Sequence, residues 1–167
     1  MKPYSILKDV VFLNIETINI NSKIKKIIKI DAVKIKNEKV TKFSTLVNSK
    51  RLVPLSISQL LCGITQKELE SAPKLEVAMK KLGNFIEDLP LVCIDENFKA
   101  ELLTIKNEIL DLIELIAMLF PELKEHSLQY LKKIIIPNYK EEEYHLTNGA
   151  EEMIKVLNYA ISSFYIE

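Results

Sequence analysis

The chain opens on short apolar runs of strand character. Val10-Val11-Phe12-Leu13 is apolar at every position and rich in β-branched residues, the pattern of a strand buried on both faces. Two more runs, Ile27 to Ile35 and Val40 to Val47, are rich in Ile and Val. Lys36-Asn37-Glu38-Lys39 separates them. A short polar break with Asn predicts a hairpin there, although Asn-Glu is a weaker turn signal than Asn-Gly. Three consecutive strands are therefore expected at the start.

After Pro54 the apolar period becomes helical. Thr65-Gln66-Lys67-Glu68 reads as a capping box that starts a short helix. Leu75, Ala78, Met79, Leu82, Phe85 and Ile86 recur at helical spacing and predict a helix from about Lys74 to Asp88, closed by Pro90. Leu91-Val92-Cys93-Ile94 is a short apolar run, expected as a fourth strand. Ile109 to Phe120 is apolar nearly all round except at Asp111 and Glu114, which predicts a buried helix stopped by Pro121. Ser127 to Ile135 is a further helix. The last helix runs from about Gly149 to Tyr165, with Ala150, Met153, Ile154, Leu157, Ala160, Ile161 and Phe164 as its apolar stripe. Asn148 and Glu151 stand at its cap and reciprocal capping-box positions. Strands, helices, a strand and helices again predict a sheet with helices packed on it.

Composition narrows the class. The 167 residues are 48% hydrophobic and 28% charged, as in a soluble globular protein, and one domain over 1–167 is expected. No apolar run reaches the roughly 18 residues of a membrane span. Met1-Lys2-Pro3-Tyr4-Ser5 does not read as a signal peptide, so the expected compartment is the cytoplasm, with no membrane partner. Cys62 and Cys93 sit among apolar residues, as buried thiols do, and form neither a disulfide framework nor a zinc motif. Lys+Arg 23 balances Asp+Glu 23, so net charge supplies no general attraction to phosphate backbones. The densest basic cluster is Lys23, Lys25, Lys26 and Lys29, which either lines one edge of a nucleic-acid groove or forms a solvated charged loop.

The punctuation of these elements resembles the DEDDh-type, DnaQ-like 3′–5′ exonucleases, whose relatives include the proofreading epsilon subunit of bacterial DNA polymerase III. Val11-Phe12-Leu13-Asn14-Ile15-Glu16-Thr17 is similar to that family's first motif, an apolar strand ending in Asp-x-Glu-Thr. Ile27 to Lys34 resembles its second strand, "IIEIGAVK", and Phe43 to Asn48 resembles "FSTLVNP". Val53-Pro54 and Leu60 to Thr65 resemble "IP…LTGIT". Ser71-Ala72-Pro73 with the following helix resembles "DAPSFEEVLPEFLEFI". Ile109 to Leu115 resembles "VIDTLELA", and Pro121 to Leu128 resembles "PELKSHKLDAL". The pieces run in the family's order over nearly the whole chain. The resemblance implies an α/β ribonuclease H-like exonuclease fold, with a mixed central sheet and helices on both faces.

That resemblance also implies a chemistry. Exonucleases of this kind hold two divalent ions with four acids and use a histidine as general base. Read position by position, the first acid falls on Asn14 and the second on Glu16. In Ile94-Asp95-Glu96-Asn97-Phe98-Lys99, Phe98 anchors the second motif and puts Lys99 where an Asp is expected. His145 matches the histidine. The last acid falls on Ala150, or on Gly149 if one residue is deleted between. Glu16 and His145 are thus the retained positions. Rescue carboxylates are available in Asp31, Asp95, Glu96, Glu151 and Glu152. The stretch from Phe98 to Asp111 is also shorter than in typical relatives, at the border of the substrate groove.

The expectation is a catalytically inactive exonuclease-like domain. No cofactor is expected, and Lys99 is expected to replace a metal by pairing with Glu16. Its partner would be a single-stranded nucleic acid, a protein, or a second copy of the chain. The alternative is an active 3′–5′ exonuclease with replaced ligands, using Mg²⁺ or Mn²⁺.

Overall fold

A computed structural model describes residues 8–21, 24–48, 64–94, 105–125, 128–135 and 149–164. The opening meander is β1 (Val10–Asn21), β2 (Ile24–Lys36) and β3 (Lys39–Leu46). Two helices follow, α1 (Gln66–Ser71) and α2 (Leu75–Ile86). Then come β4 (Leu91–Cys93), β5 (Ile109–Asp111), α3 (Leu112–Leu119), α4 (Leu128–Ile135) and α5 (Gly149–Phe164).

The sheet has five strands in the order β3-β2-β1-β4-β5. β1 pairs antiparallel with β2, and β2 with β3. β1 pairs parallel with β4, and β4 with β5. β1 thus lies at the centre, where the meander joins the parallel strands.

Both faces of β1 are covered. Phe12 packs with Val33 and Ile35 against Leu112 and Ile116 of α3, Leu131 of α4, and Ala150, Met153 and Leu157 of α5. Leu13 faces the other way, with Ile30 and Ala32, onto Ala78, Leu82 and Ile86 of α2. Phe12 and Leu13 are both fully buried, which stabilises by about 1.5–3 kcal/mol for each side chain. This alternation explains why Val10 to Leu13 is apolar at every position.

The predicted hairpin is present. Asn37 and Glu38 form its tip with φ of 51° and 62°, the positive angles a two-residue type I′ turn needs at both central positions. Asn37 N–H donates to Asp9 Oδ1 at 3.0 Å. Thr65 also caps α1 as expected, in a full capping box with Glu68.

Two expectations need correction. β1 extends well past Leu13, because β2 pairs with it as far as Asn21. The apolar run from Ile109 to Phe120 is also not one helix. Its first three residues are the edge strand β5. Asp111 then caps α3, its Oδ1 accepting from Ile113 N at 2.7 Å. An apolar run alone does not separate a short buried strand from a helix.

The end of α2 is tied back to β2. Glu87 follows the helix with φ 57°. Its carboxylate accepts from Lys34 Nζ at 2.7 Å and also pairs with Lys36. Lys34 Nζ lies 4.8 Å from the centroid of Phe85. Asn107 Nδ2 donates to the Glu87 and Leu89 carbonyls at 2.9 and 2.8 Å, which joins this turn to the approach to β5. No helix among the described residues is long and apolar enough to cross a membrane.

Candidate functional site

β1 changes character at Asn14. Asn14 and Glu16 continue the Phe12 side of the strand, the side that α5 covers. Asn14 stands opposite Asp31 of β2, and Glu16 stands opposite Lys29. Asp31 in turn stands opposite Ser44 of β3. Because alternate strand residues share a face, these side chains gather into one polar cluster above the central strands.

Lys29 holds the cluster together. Its Nζ lies 2.6 Å from Asp31 Oδ2 and 3.9 Å from Glu16 Oε1. Ser44 Oγ donates to Asp31 Oδ1 at 2.6 Å. Asp31 is only 1% exposed, and an ionised carboxylate at that depth needs a counter-charge. The ammonium provides it. Glu16 is less buried, with 28% of its side chain exposed. Burial pushes the Glu16 pKa above its ordinary 4.5, the Lys29 charge opposes that rise, and the nearby Asp31 charge adds to it.

The first residue of α5 closes the cluster from above. A Cβ on Gly149 would lie 2.5 Å from Asn14 Nδ2 and 2.6 Å from Asn14 Cγ. The helix can therefore approach the strand this closely only with glycine there. Ala150, by contrast, is fully buried in the core beside Phe12. Of the two positions open for the last acid, Gly149 is the one that meets Asn14. Glu151 and Glu152 are engaged away from the cluster: Glu151 pairs with Lys42, and Glu152 Oε2 lies 2.7 Å from Lys132 Nζ.

The described residues bring together Asn14, Glu16 and Gly149 from the expected set. Lys99, His145, Asp95, Glu96 and Lys23 lie outside the described residues, and so does the proposed Lys99–Glu16 pair. Lys25 belongs to β2, opposite Asn19. Lys26 is half-buried. Lys29, grouped with them as part of a basic cluster, is buried and directed at two carboxylates. The sequence offers Asp31 only as one of several rescue carboxylates, and it does not point to the roles of Lys29 and Ser44. The signal was available: a Lys and an Asp two residues apart inside an apolar strand point to the same face. In the family strand "IIEIGAVK" those two positions hold Glu and Gly.

Hard divalent cations take several oxygen ligands. Among the described residues no group of three or more His, Cys, Asp or Glu side chains is placed to hold one. Asn14 is neutral, Gly149 has no side-chain oxygen, and an ammonium already sits against Glu16 and Asp31. The described donors by themselves do not make up a ligand set for a pair of divalent ions.

The sequence model of the RNase T exonuclease family matches residues 11–146. This chain belongs to the exonuclease family. DNA polymerase III PolC-type from Clostridium perfringens (strain 13 / Type A) is 35% identical to it over 133 residues, 74% of this chain. The chain spans 9% of the length of that polymerase. A full-length 3′-exonuclease superposes with a TM-score of 0.70 at 14% identity, over 93% of this chain and 82% of its own. Exonuclease X, solved in complex with 5′ overhanging duplex DNA, superposes with a TM-score of 0.68 at 16% identity, over 92% of each chain. At those identities the structural likeness is one of fold, and the exonuclease fold is the ribonuclease H-like one expected from the motifs.

Proposed function

We propose that this exonuclease-family chain does not hydrolyse phosphodiesters and works instead by binding, with single-stranded nucleic acid as its ligand. The observation that carries the first half is the placement of the Lys29 ammonium, 2.6 Å from Asp31 and 3.9 Å from Glu16. In-line attack on phosphorus in a two-metal enzyme needs divalent charge where the water is activated and where the leaving oxygen departs. A lysine ammonium neutralises carboxylates but cannot coordinate and activate a water. Fold and function separate readily, so the site decides.

The second half rests on kinship. Exonuclease X, a neighbour in fold, was solved with DNA, and a relative in sequence is a DNA polymerase III. A protein partner within such a polymerase assembly is the competing form of the same reading. The apolar stripe of α5 does not favour it, since Met153, Ile154, Val156, Leu157 and Ala160 are consumed by the core.

One observation favours an active enzyme. Asp31 stands directly opposite Asn14, so a carboxylate missing from β1 is present on the adjacent strand. In that alternative, Glu16, Asp31 and His145 serve a Mg²⁺- or Mn²⁺-dependent 3′–5′ exonuclease with replaced ligands.

The deciding experiment follows a labelled single-stranded oligonucleotide with Mg²⁺ or Mn²⁺ present, reading both anisotropy and product length. Binding without shortening supports the proposal. Metal-dependent shortening that disappears in Glu16→Ala overturns it. Neither binding nor shortening turns the search to a protein partner.

A further inference from the structure

Buried charges in the middle of a sheet are costly, and their persistence together asks for a reason. Lys29 and Asp31 are both buried, on β2 beside the central strand, within a run that is otherwise Ile, Ala and Val. They do not form an isolated pair, because Lys29 Nζ also lies 3.9 Å from Glu16 Oε1. The ammonium is thus shared by two carboxylates on neighbouring strands, on the face shared with Asn14 and the start of α5.

We infer that the Lys29 ammonium is a tethered counter-ion in the cation site of this fold, and that it keeps divalent metal out of a pocket whose two carboxylates would otherwise hold one. This inference rests on the non-hydrolytic reading above. The charge balance favours it. Asn14 is neutral, so the described cluster carries two negative charges, and one ammonium leaves a single net negative charge. A second cation entering between Glu16 and Asp31 would face Lys29 at contact distance. The lysine stem also fixes its charge in place without drawing on free metal, so the cluster keeps this charge balance whatever the metal supply.

The test compares wild type, Lys29→Gln and Lys29→Ala in MnCl₂ titrations, read by calorimetry and by melting temperature; both variants keep Glu16 and Asp31. A variant that does not fold alone is refolded with MnCl₂, because a divalent ion in the pocket replaces the missing charge. The expected result is Mn²⁺ binding at least about tenfold tighter than in wild type, or about 1.4 kcal/mol, with a melting temperature or a recovery of fold that rises with Mn²⁺ only in the variants. A folded variant that binds no more tightly than wild type overturns the inference, and so does a failure of Mn²⁺ to restore the fold of both. Failure of the non-hydrolytic reading shows separately, as digestion of the oligonucleotide by wild type.

Discussion

Gly149 and Asn14 are matched: the helix residue has no side chain where the strand side chain stands, with only 2.5 Å between an added Cβ and Asn14 Nδ2. One of the two positions that the sequence motifs leave for the last acid, Gly149 rather than Ala150, thus lies in direct apposition to the position of the first. The space between them is taken up by the Asn14 amide. The approach of α5 to β1 therefore depends on there being no side chain at position 149 against Asn14.

Gly149→Ala should destabilise the protein by about 1–3 kcal/mol, the usual cost of inserting a methyl into a filled site. Asn14→Ala in the same chain should remove most of that loss, because the atoms in the way are gone. A double-mutant cycle in urea measures the coupling. Additive effects of the two substitutions would show that the helix end does not press on Asn14.

Lys29→Met should cost about 3–5 kcal/mol, because it leaves Asp31 buried without its counter-charge. Adding Asp31→Val should recover most of the loss, since replacing a whole buried pair with well-packed apolar groups is often neutral or stabilising and valine suits a strand. Urea unfolding of the single and double variants measures both. A Lys29→Met protein as stable as wild type would mean that Ser44 alone satisfies Asp31.

The sequence disclosed the sheet more readily than the site. The three opening strands and the hairpin were legible because β-branched runs flank a polar break, even though Asn37 and Glu38 adopt positive φ without a glycine. The strand at Ile109 is not legible, because two apolar residues and an Asp leading into an apolar helix share its pattern, and Asp111 reads as an interruption of the helix rather than as its cap. At the site, motif spacing points to Asn14 and Glu16 and leaves Ala150 or Gly149 for the last acid; Gly149 stands against Asn14 and Ala150 is buried in the core. Nearness along the chain groups Lys29 with Lys23, Lys25 and Lys26. In a strand, direction follows parity instead, and Lys29 shares the face of Asp31, where its ammonium meets that carboxylate.

Glu87 offers a test at the opposite end of β2. Hydrogen bonds from Lys34 and Lys36 hold its carboxyl pKa down at about 2, against 4.5 ordinarily. A depressed folded pKa contributes stability that is present above 4.5 and lost as the pH falls through about 2. Glu87→Gln should therefore melt lower than wild type at neutral pH, and the difference should close as the pH drops through that window. Because Glu87 is exposed, the gap should also shrink with added salt. A gap independent of both pH and salt would assign the effect to the backbone turn at Glu87.

Glu16 should show the opposite slope. Burial raises its folded pKa above the ordinary 4.5 despite the Lys29 charge. A carboxylate whose folded pKa is raised binds its proton more tightly in the native state. Its stabilising contribution is complete below 4.5 and is lost as the pH rises through the folded value. Glu16→Gln cannot lose a proton, so it should gain stability relative to wild type as the pH climbs through that window. The measurement is melting temperature against pH for the two proteins. Curves that stay parallel would mean that Glu16 keeps its ordinary pKa, with Lys29 balancing the cost of burial in full. Should the difference between them grow as the pH falls instead, the Lys29 attraction would outweigh burial, and Glu16 would be a stabilising partner of the ammonium.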